Sequence, residues 1–173
     1  MKHQQRLKTA ILSAIFMALG LLEVKAQEID ENTAPQQALA LMLDLQYADE
    51  QQCFVIDGDK VLPVMPLLVS VDGLDVVAHE KVVQALEATL ARGCDIHQAD
   101  LMGLTPLNTA ILHKNLALMD YLLEQGANPW LEIDSPKETL NGLNSLQFLD
   151  LLIARVPNQA ENWQKMRAKI AGL

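Results

Sequence analysis

The chain has 173 residues, a length typical of one domain with short appendages. Half of the residues are hydrophobic, which allows a packed core and excludes disorder of the whole chain. The formal net charge is -9 and only 4% of the residues are aromatic. Because such a chain repels phosphate backbones and offers little base-stacking surface, we predict that it does not bind nucleic acid.

The first 26 residues have the pattern of a cleavable signal peptide. Three Lys and Arg residues precede residues 9–22, and this stretch of 14 residues contains no charge. It is short for a membrane-spanning helix but typical of the apolar region of a signal peptide. Small residues at Val24 and Ala26 predict cleavage after Ala26, which would release a periplasmic protein without a stable membrane anchor. An uncleaved anchor is the alternative.

Cleavage would leave a more acidic chain, with 21 acidic and 9 basic residues. Residues 28–138 carry 19 acids and 5 bases, whereas residues 149–173 carry 2 acids and 4 bases. The sequence therefore predicts an acidic body and a basic tail. Such a body either serves solubility alone or steers a basic protein partner toward it.

The polar residues 27–33 predict a flexible start of the mature chain. A helix is predicted near residues 34–47, because apolar side chains recur there at helical spacing. Apolar runs at residues 53–56 and 60–62 flank an Asp57-Gly58 pair. An Asp-Gly pair between apolar runs is a turn signal, so we expect a small β-hairpin at this point.

Both cysteines, Cys53 and Cys94, lie after the predicted cleavage point. An even number of cysteines in an oxidising compartment favours a disulfide. Their separation of 41 positions excludes a CxxC redox or zinc motif. Two unpaired thiols, acting as small apolar groups, are the alternative.

Two helical segments, residues 80–93 and 116–126, end at glycines that are 33 positions apart. The residues between those glycines resemble an ankyrin repeat, a family whose repeats are 33 residues long. Residues 105–108, Thr-Pro-Leu-Asn, are similar to the Thr-Pro-Leu-His turn of that family, and residues 126–128, Gly-Ala-Asn, to its Gly-Ala-Asp turn. Thr105 is expected to cap a helix that begins at a proline.

Degenerate copies flank this central repeat, with proline-led residues 66–71 before it and residues 142–146 after it. The resemblance implies an all-α fold over residues 34–173, a short solenoid of about three ankyrin repeats built from paired antiparallel helices. Capping helices are expected near residues 34–47 and 158–171. In such a solenoid successive turns lie side by side, which would bring Cys53 and Cys94 together.

The resemblance also implies where a partner binds, because ankyrin repeats use their loop tips and the exposed side of each first helix. The matching positions are mostly apolar, which is typical of a protein-binding surface. These predicted partner-binding residues are Leu101, Met102, Leu104, Leu112, His113, Trp130 and Leu131. The alternative is that an insertion near residues 131–140 covers them, so that they belong to the core.

No catalytic pattern is recognisable in the sequence, which lacks HExxH, GxSxG and a phosphate-binding glycine loop. We therefore expect no enzyme activity, no cofactor and no metal. A zinc site with His97, His113 and a carboxylate is the alternative at these histidines.

The combined interpretation is a protein that binds another protein in the periplasm without catalysis and is monomeric when free. Small exported bacterial ankyrin-repeat proteins resemble immunity or inhibitor partners of secreted toxins or enzymes, and an acidic surface suits a basic partner. The alternatives are a folding or assembly factor of the cell envelope and a hydrolase whose site the sequence does not reveal.

Overall fold

The computed structural model describes residues 46–72 and 77–173. The predicted signal peptide, the segment 27–33 and all but the last two residues of the predicted helix at 34–47 lie outside the described residues. No helix in the described part of the chain combines the length and apolar composition needed to cross a bilayer.

A two-stranded antiparallel hairpin stands at the start of the described chain. Strands β1 (Phe54–Asp57) and β2 (Lys60–Pro63) pair in a register that sets Asp57 opposite Lys60. Gly58 in the connecting turn has a φ of +61°, a conformation that glycine adopts at low cost. The hairpin that the Asp-Gly pair predicts is therefore confirmed.

Helices make up most of the remaining described chain, which confirms the mainly helical class. Six α-helices follow the hairpin, and a short 3₁₀ turn at Pro157–Gln159 precedes the last of them. They are α1 (Val64–Asp72), α2 (His79–Ala91), α3 (Pro106–Leu112), α4 (Leu116–Glu124), α5 (Ser145–Arg155) and α6 (Glu161–Ile170).

The helices pack as three consecutive pairs, α1 with α2, α3 with α4, and α5 with α6. The first helices of the pairs also contact one another in order, since α3 touches both α1 and α5. Buried side chains from all three pairs form one hydrophobic core, with Leu86, Leu118 and Met166 among its fully buried members. Because the first helices of successive pairs are in contact, the connections between the pairs lie near one another.

Local signals explain where the central pair begins. Thr105 caps α3, because its hydroxyl accepts the backbone N–H of Asn108 at 3.3 Å, and Pro106 occupies the first turn. Both features are as predicted from the Thr-Pro dipeptide. Asn115 caps α4 in the same way, accepting the N–H of Leu118 at 3.0 Å. These caps satisfy helix N–H groups that would otherwise lack partners.

The last helix covers the end of the core. It was expected near residues 158–171 and is observed as α6, whose Trp163, Met166 and Ile170 are buried. The indole N–H of Trp163 donates to the carbonyl of Ile111 at 2.7 Å. The ammonium of Lys114 lies 4.5 Å from the centre of the indole ring. Helix α6 is thereby attached to the central helix pair as well as to α5.

Three of the four bases of the basic tail predicted from the sequence form salt bridges, two with acids of the tail itself and one with an acid of the body. All three bases lie on α6, so the positive charges of this helix are paired. The pairs are Lys165 with Glu161 at 2.8 Å, Arg167 with Asp150 at 2.5 Å and Lys169 with Asp120 at 2.5 Å.

Cys53 and Cys94 form a disulfide, with their Cα atoms 5.4 Å apart. This confirms the predicted bond, and the alternative of two free thiols is wrong. The bond joins the residue before β1 to the turn that follows α2. It therefore fixes the hairpin to the first connection between helix pairs.

Candidate functional site

Two long connections lie side by side along one edge of the molecule. Residues 93–104 join α2 to α3, and residues 126–143 join α4 to α5; together we call them the loop edge. Asn128 donates its backbone N–H to Nε2 of His97 at 3.0 Å. A Cβ placed on Gly103 would lie 2.1 Å from the carbonyl oxygen of Asp134, so the two backbones are in direct contact there.

The first of these loops is shaped by Asp100. Its carboxylate accepts the backbone N–H groups of Met102 at 2.8 Å and Leu104 at 2.9 Å. Gly103 has a φ of +79°, in the left-handed region that favours glycine. The turn of the loop is thus set by one carboxylate and one glycine.

Three of the predicted partner-binding residues lie exposed on the loop edge. Leu101 is 54% exposed, Trp130 48% and Leu131 38%. The loops that carry them are in backbone contact, so the three residues lie on the same edge of the molecule, and we call them together the loop patch. The alternative that an insertion buries them is wrong for these three residues.

Leu104 was expected to face solvent, and this expectation is wrong. Its side chain is only 6% exposed and belongs to the hydrophobic core, and Met102 packs partly against that core. The physical reason is that Leu104 directly precedes the cap residue Thr105, a position where an apolar side chain commonly turns inward. The hydrogen bond from Leu104 to Asp100 holds the backbone in that position.

Leu112 and His113 lie apart from the loop patch. They stand at the C-terminal end of α3, whose seven residues span roughly 10 Å from the end that follows Leu104. Leu112 is exposed and His113 is half-buried. The seven predicted partner-binding residues are therefore divided between the loop edge and the far end of α3.

Burial lowers the pKa of His113 below the ordinary value of an imidazole. As the pH falls below about 6.5, His113 therefore takes up a proton in the unfolded chain before it does so in the folded protein. This protonation favours the unfolded chain, so the free energy of unfolding should decrease. We expect this decrease between pH 7.5 and pH 5 to be smaller in the variant His113→Asn. Urea unfolding at several pH values measures it. An equal or steeper decrease in the variant would contradict the argument, since His79 and His97 are present in both proteins.

The loop edge is strongly acidic. It carries five acidic residues and one basic residue, Lys137. Asp95, Glu132, Asp134 and Glu138 are exposed, and Asp100 is half-buried in its own turn. The loop edge thus carries both the exposed apolar residues of the loop patch and a net negative charge, a combination that favours a partner with both apolar and basic side chains.

A partly buried polar cluster that the sequence did not reveal joins the first two helix pairs. Asp72, 6% exposed at the end of α1, accepts hydrogen bonds from Nδ1 of His79 at 3.1 Å and from Nδ2 of Asn115. Since 43 positions separate Asp72 from Asn115, no local pattern signals the contact. Within residues 46–72 and 77–173, no hydroxyl or thiol is hydrogen-bonded to His79, and the bonds of the cluster connect α1 with the starts of α2 and α4.

The same ranges contain no group of three or more His, Cys, Asp and Glu side chains arranged to hold a metal ion. Nε2 of His97 accepts the N–H of Asn128, and its Nδ1 lies 3.3 Å from the carboxylate of Asp95. His97 is in the loop before α3, whereas His113 follows the end of α3. The two histidines that a zinc site would need are thus held apart.

Comparison with known proteins gives one partial similarity. No protein-family model matches the chain. No solved structure matches it either. A curated L-asparaginase from Dirofilaria immitis is 36% identical over 70 residues, which is 40% of this chain. Those residues are 12% of the enzyme, so the chain spans about an eighth of the curated relative it matches.

Proposed function

We propose that this protein is a non-catalytic module that binds another protein through the loop edge. The observation that carries the proposal is the loop patch, in which Leu101, Trp130 and Leu131 are exposed on two adjoining loops. Exposing large apolar side chains costs free energy that a soluble protein recovers when a partner covers them. Tryptophan is also a frequent anchor of protein interfaces.

We further propose that the three helix pairs form a short ankyrin-type solenoid. Three features support it: the pairs follow one another in order, their first helices are in contact, and their connections meet at one edge. The Thr105-Pro106 start of α3 and the positive φ of Gly93 and Gly126 after the second helices fit the same plan. In such an array the loop edge is the customary binding side.

The partner we propose is a basic protein, such as a secreted toxin or enzyme that this chain would inhibit or render harmless. Support comes from the uneven distribution of charge. The loop edge has a formal charge of -4, from five acids and one base, while the bases of α6 are paired elsewhere. Opposite charge accelerates association and excludes other acidic surfaces.

The proposed place of action is the periplasm, with a mature chain that starts at Gln27. The pattern of residues 1–26 supports export. The disulfide between Cys53 and Cys94 is compatible with it, because such bonds persist in oxidising compartments.

The similarity to an L-asparaginase favours a second candidate, a hydrolase. Because the similarity covers only 12% of the enzyme, it is explained equally well if the shared segment is a non-catalytic part of that larger protein. Purified protein incubated with L-asparagine decides between the two. Release of ammonia above the rate of the buffer, abolished by heat denaturation, would replace the binding proposal with the hydrolase.

The binding proposal is tested by affinity capture from periplasmic extract with the mature chain as bait. We expect one stoichiometric basic protein, whose affinity falls at least tenfold, or by about 1.4 kcal/mol, in Trp130→Ala. Val156→Ala is the matched control, since Val156 is an exposed apolar residue beyond α5, away from the loop edge. Equal binding by both variants would contradict the proposal, and capture of many proteins would favour a folding factor.

A further inference from the structure

A shallow pocket lies between the hairpin and the loop edge, directly beside the disulfide. Its volume is about 230 Å³, below the roughly 300–1,000 Å³ typical of small-molecule sites. A volume of this size accommodates a single side chain. Its lining includes Asp49, Phe54, Met65, Asp95 and Gln98, together with the two cysteines.

The pocket is lined by both apolar groups and carboxylates. Phe54, Met65 and the disulfide supply apolar atoms, and Asp49 and Asp95 supply carboxylates. We propose that the pocket receives one lysine or arginine side chain of the partner. The methylene stem of such a side chain packs on apolar surface while its cationic head remains near carboxylates.

The two carboxylates differ in the hydrogen bonds that hold them. Asp49 accepts the backbone N–H groups of Phe54 at 2.8 Å and Cys53 at 3.1 Å, which fixes the position of its charge. The Asp95 side chain is exposed, and its hydrogen bond to the N–H of His97 uses Oδ1. Among residues 46–72 and 77–173, both contacts of the Asp95 carboxylate with His97 use Oδ1, and we assign Oδ2 to the incoming cation.

One cation of this chain, Arg92, lies close to the pocket and contributes to the charge around it. Arg92 donates from Nε to the carbonyl of Gln51 at 2.9 Å and from Nη2 to Thr89 at 3.1 Å. Its guanidinium is therefore already bonded both to α2 and to the segment before β1. Asp49 and Asp95 carry two negative charges and Arg92 carries one positive charge, so the net charge around the pocket is negative.

The pocket and the loop patch are connected through the two adjoining loops of the loop edge. Gln98 of its lining precedes Leu101 by three residues, and the neighbouring His97 is bonded to Asn128, two residues before Trp130. A partner segment with a basic side chain near an apolar one would thus contact the pocket and the patch together. This inference rests on the proposed function and specifies the chemistry of the partner.

The test is an NMR titration of the ¹⁵N-labelled mature chain with Nα-acetyl-lysine methylamide and with its arginine analogue. Nα-acetyl-norleucine methylamide is the uncharged control. We expect saturable shifts of the Gly93, Asp95 and Gln98 amides with at least one cationic probe and at least threefold weaker binding of norleucine. Absence of shifts at these amides, or equal binding of norleucine, would overturn the inference.

Two variants complete the test. Asp95→Asn should weaken the cationic probe at least threefold, because asparagine keeps an oxygen for His97 but loses the charge. Asp59→Asn makes the same change of charge in the exposed turn between β1 and β2, outside the pocket lining and the loop edge, and should bind the probe like the unmodified chain. Equal weakening by both would show a general charge effect and refute the pocket. Loss of protein capture in Trp130→Ala without loss in Asp95→Asn would refute the pocket while preserving the proposed function.

Discussion

Replacement of Leu104 by aspartate is expected to lower the free energy of unfolding by about 3 kcal/mol or more. Leu104 is buried in the core beside the start of α3. The variant loses the packing of a leucine and places a carboxylate where no cation is paired with it, and each change is costly. Urea unfolding followed by circular dichroism gives the difference directly.

Leu101→Asp is the matched control for this experiment. It makes the same chemical change three residues earlier in the same loop, at a side chain that is 54% exposed. We expect a change in stability within about 0.5 kcal/mol, together with weaker capture of the partner. Equal stability of both variants would show that Leu104 is not part of the core and that the loop adopts another conformation.

Removal of the disulfide is expected to cost about 4 kcal/mol of stability. The bond closes a loop across 41 positions, and the chain-entropy account assigns that amount to a closure of this length. Small domains are stable by about 5–15 kcal/mol, so the double variant Cys53→Ala/Cys94→Ala should keep only a small margin. Its urea midpoint, measured beside that of the unmodified chain, tests the estimate.

The same protein treated with a reducing agent provides the control. Reduction should lower the midpoint as the double variant does, and have no effect on the variant itself. Thiol titration of the unreduced, denatured protein should find no free thiol. A midpoint that reduction leaves unchanged would mean that the hairpin is held by its other contacts, such as the bonds between Asp49 and the backbone at Cys53 and Phe54.

Features that depend on a few neighbouring residues were predictable from the sequence. The hairpin follows from Asp57-Gly58 between apolar runs, and the start of α3 from Thr105-Pro106. Both signals act through the local backbone, whose conformations are few. The disulfide was predictable for another reason, namely that only two cysteines exist to be paired.

Features that depend on distant residues were not predictable in this way. The inward position of Leu104 accompanies a turn that abuts Asp134, thirty residues further along the chain. The burial of Asp72 requires Asn115, and the neutralisation of Lys169 requires Asp120 from another helix pair. Hydrophobic periodicity reports which face of an element is apolar, and it contains no information on these long-range polar partners.

The two tryptophans of the chain occupy opposite environments, and this gives the protein two separate optical reporters. Trp163 is 4% exposed with its indole N–H bonded, whereas Trp130 is 48% exposed in the loop patch. A neutral quencher such as acrylamide should therefore reach the emission of Trp130 and spare that of Trp163. In Trp130→Phe the remaining fluorescence follows unfolding of the helix pairs, and in Trp163→Phe it follows occupation of the loop edge by a partner.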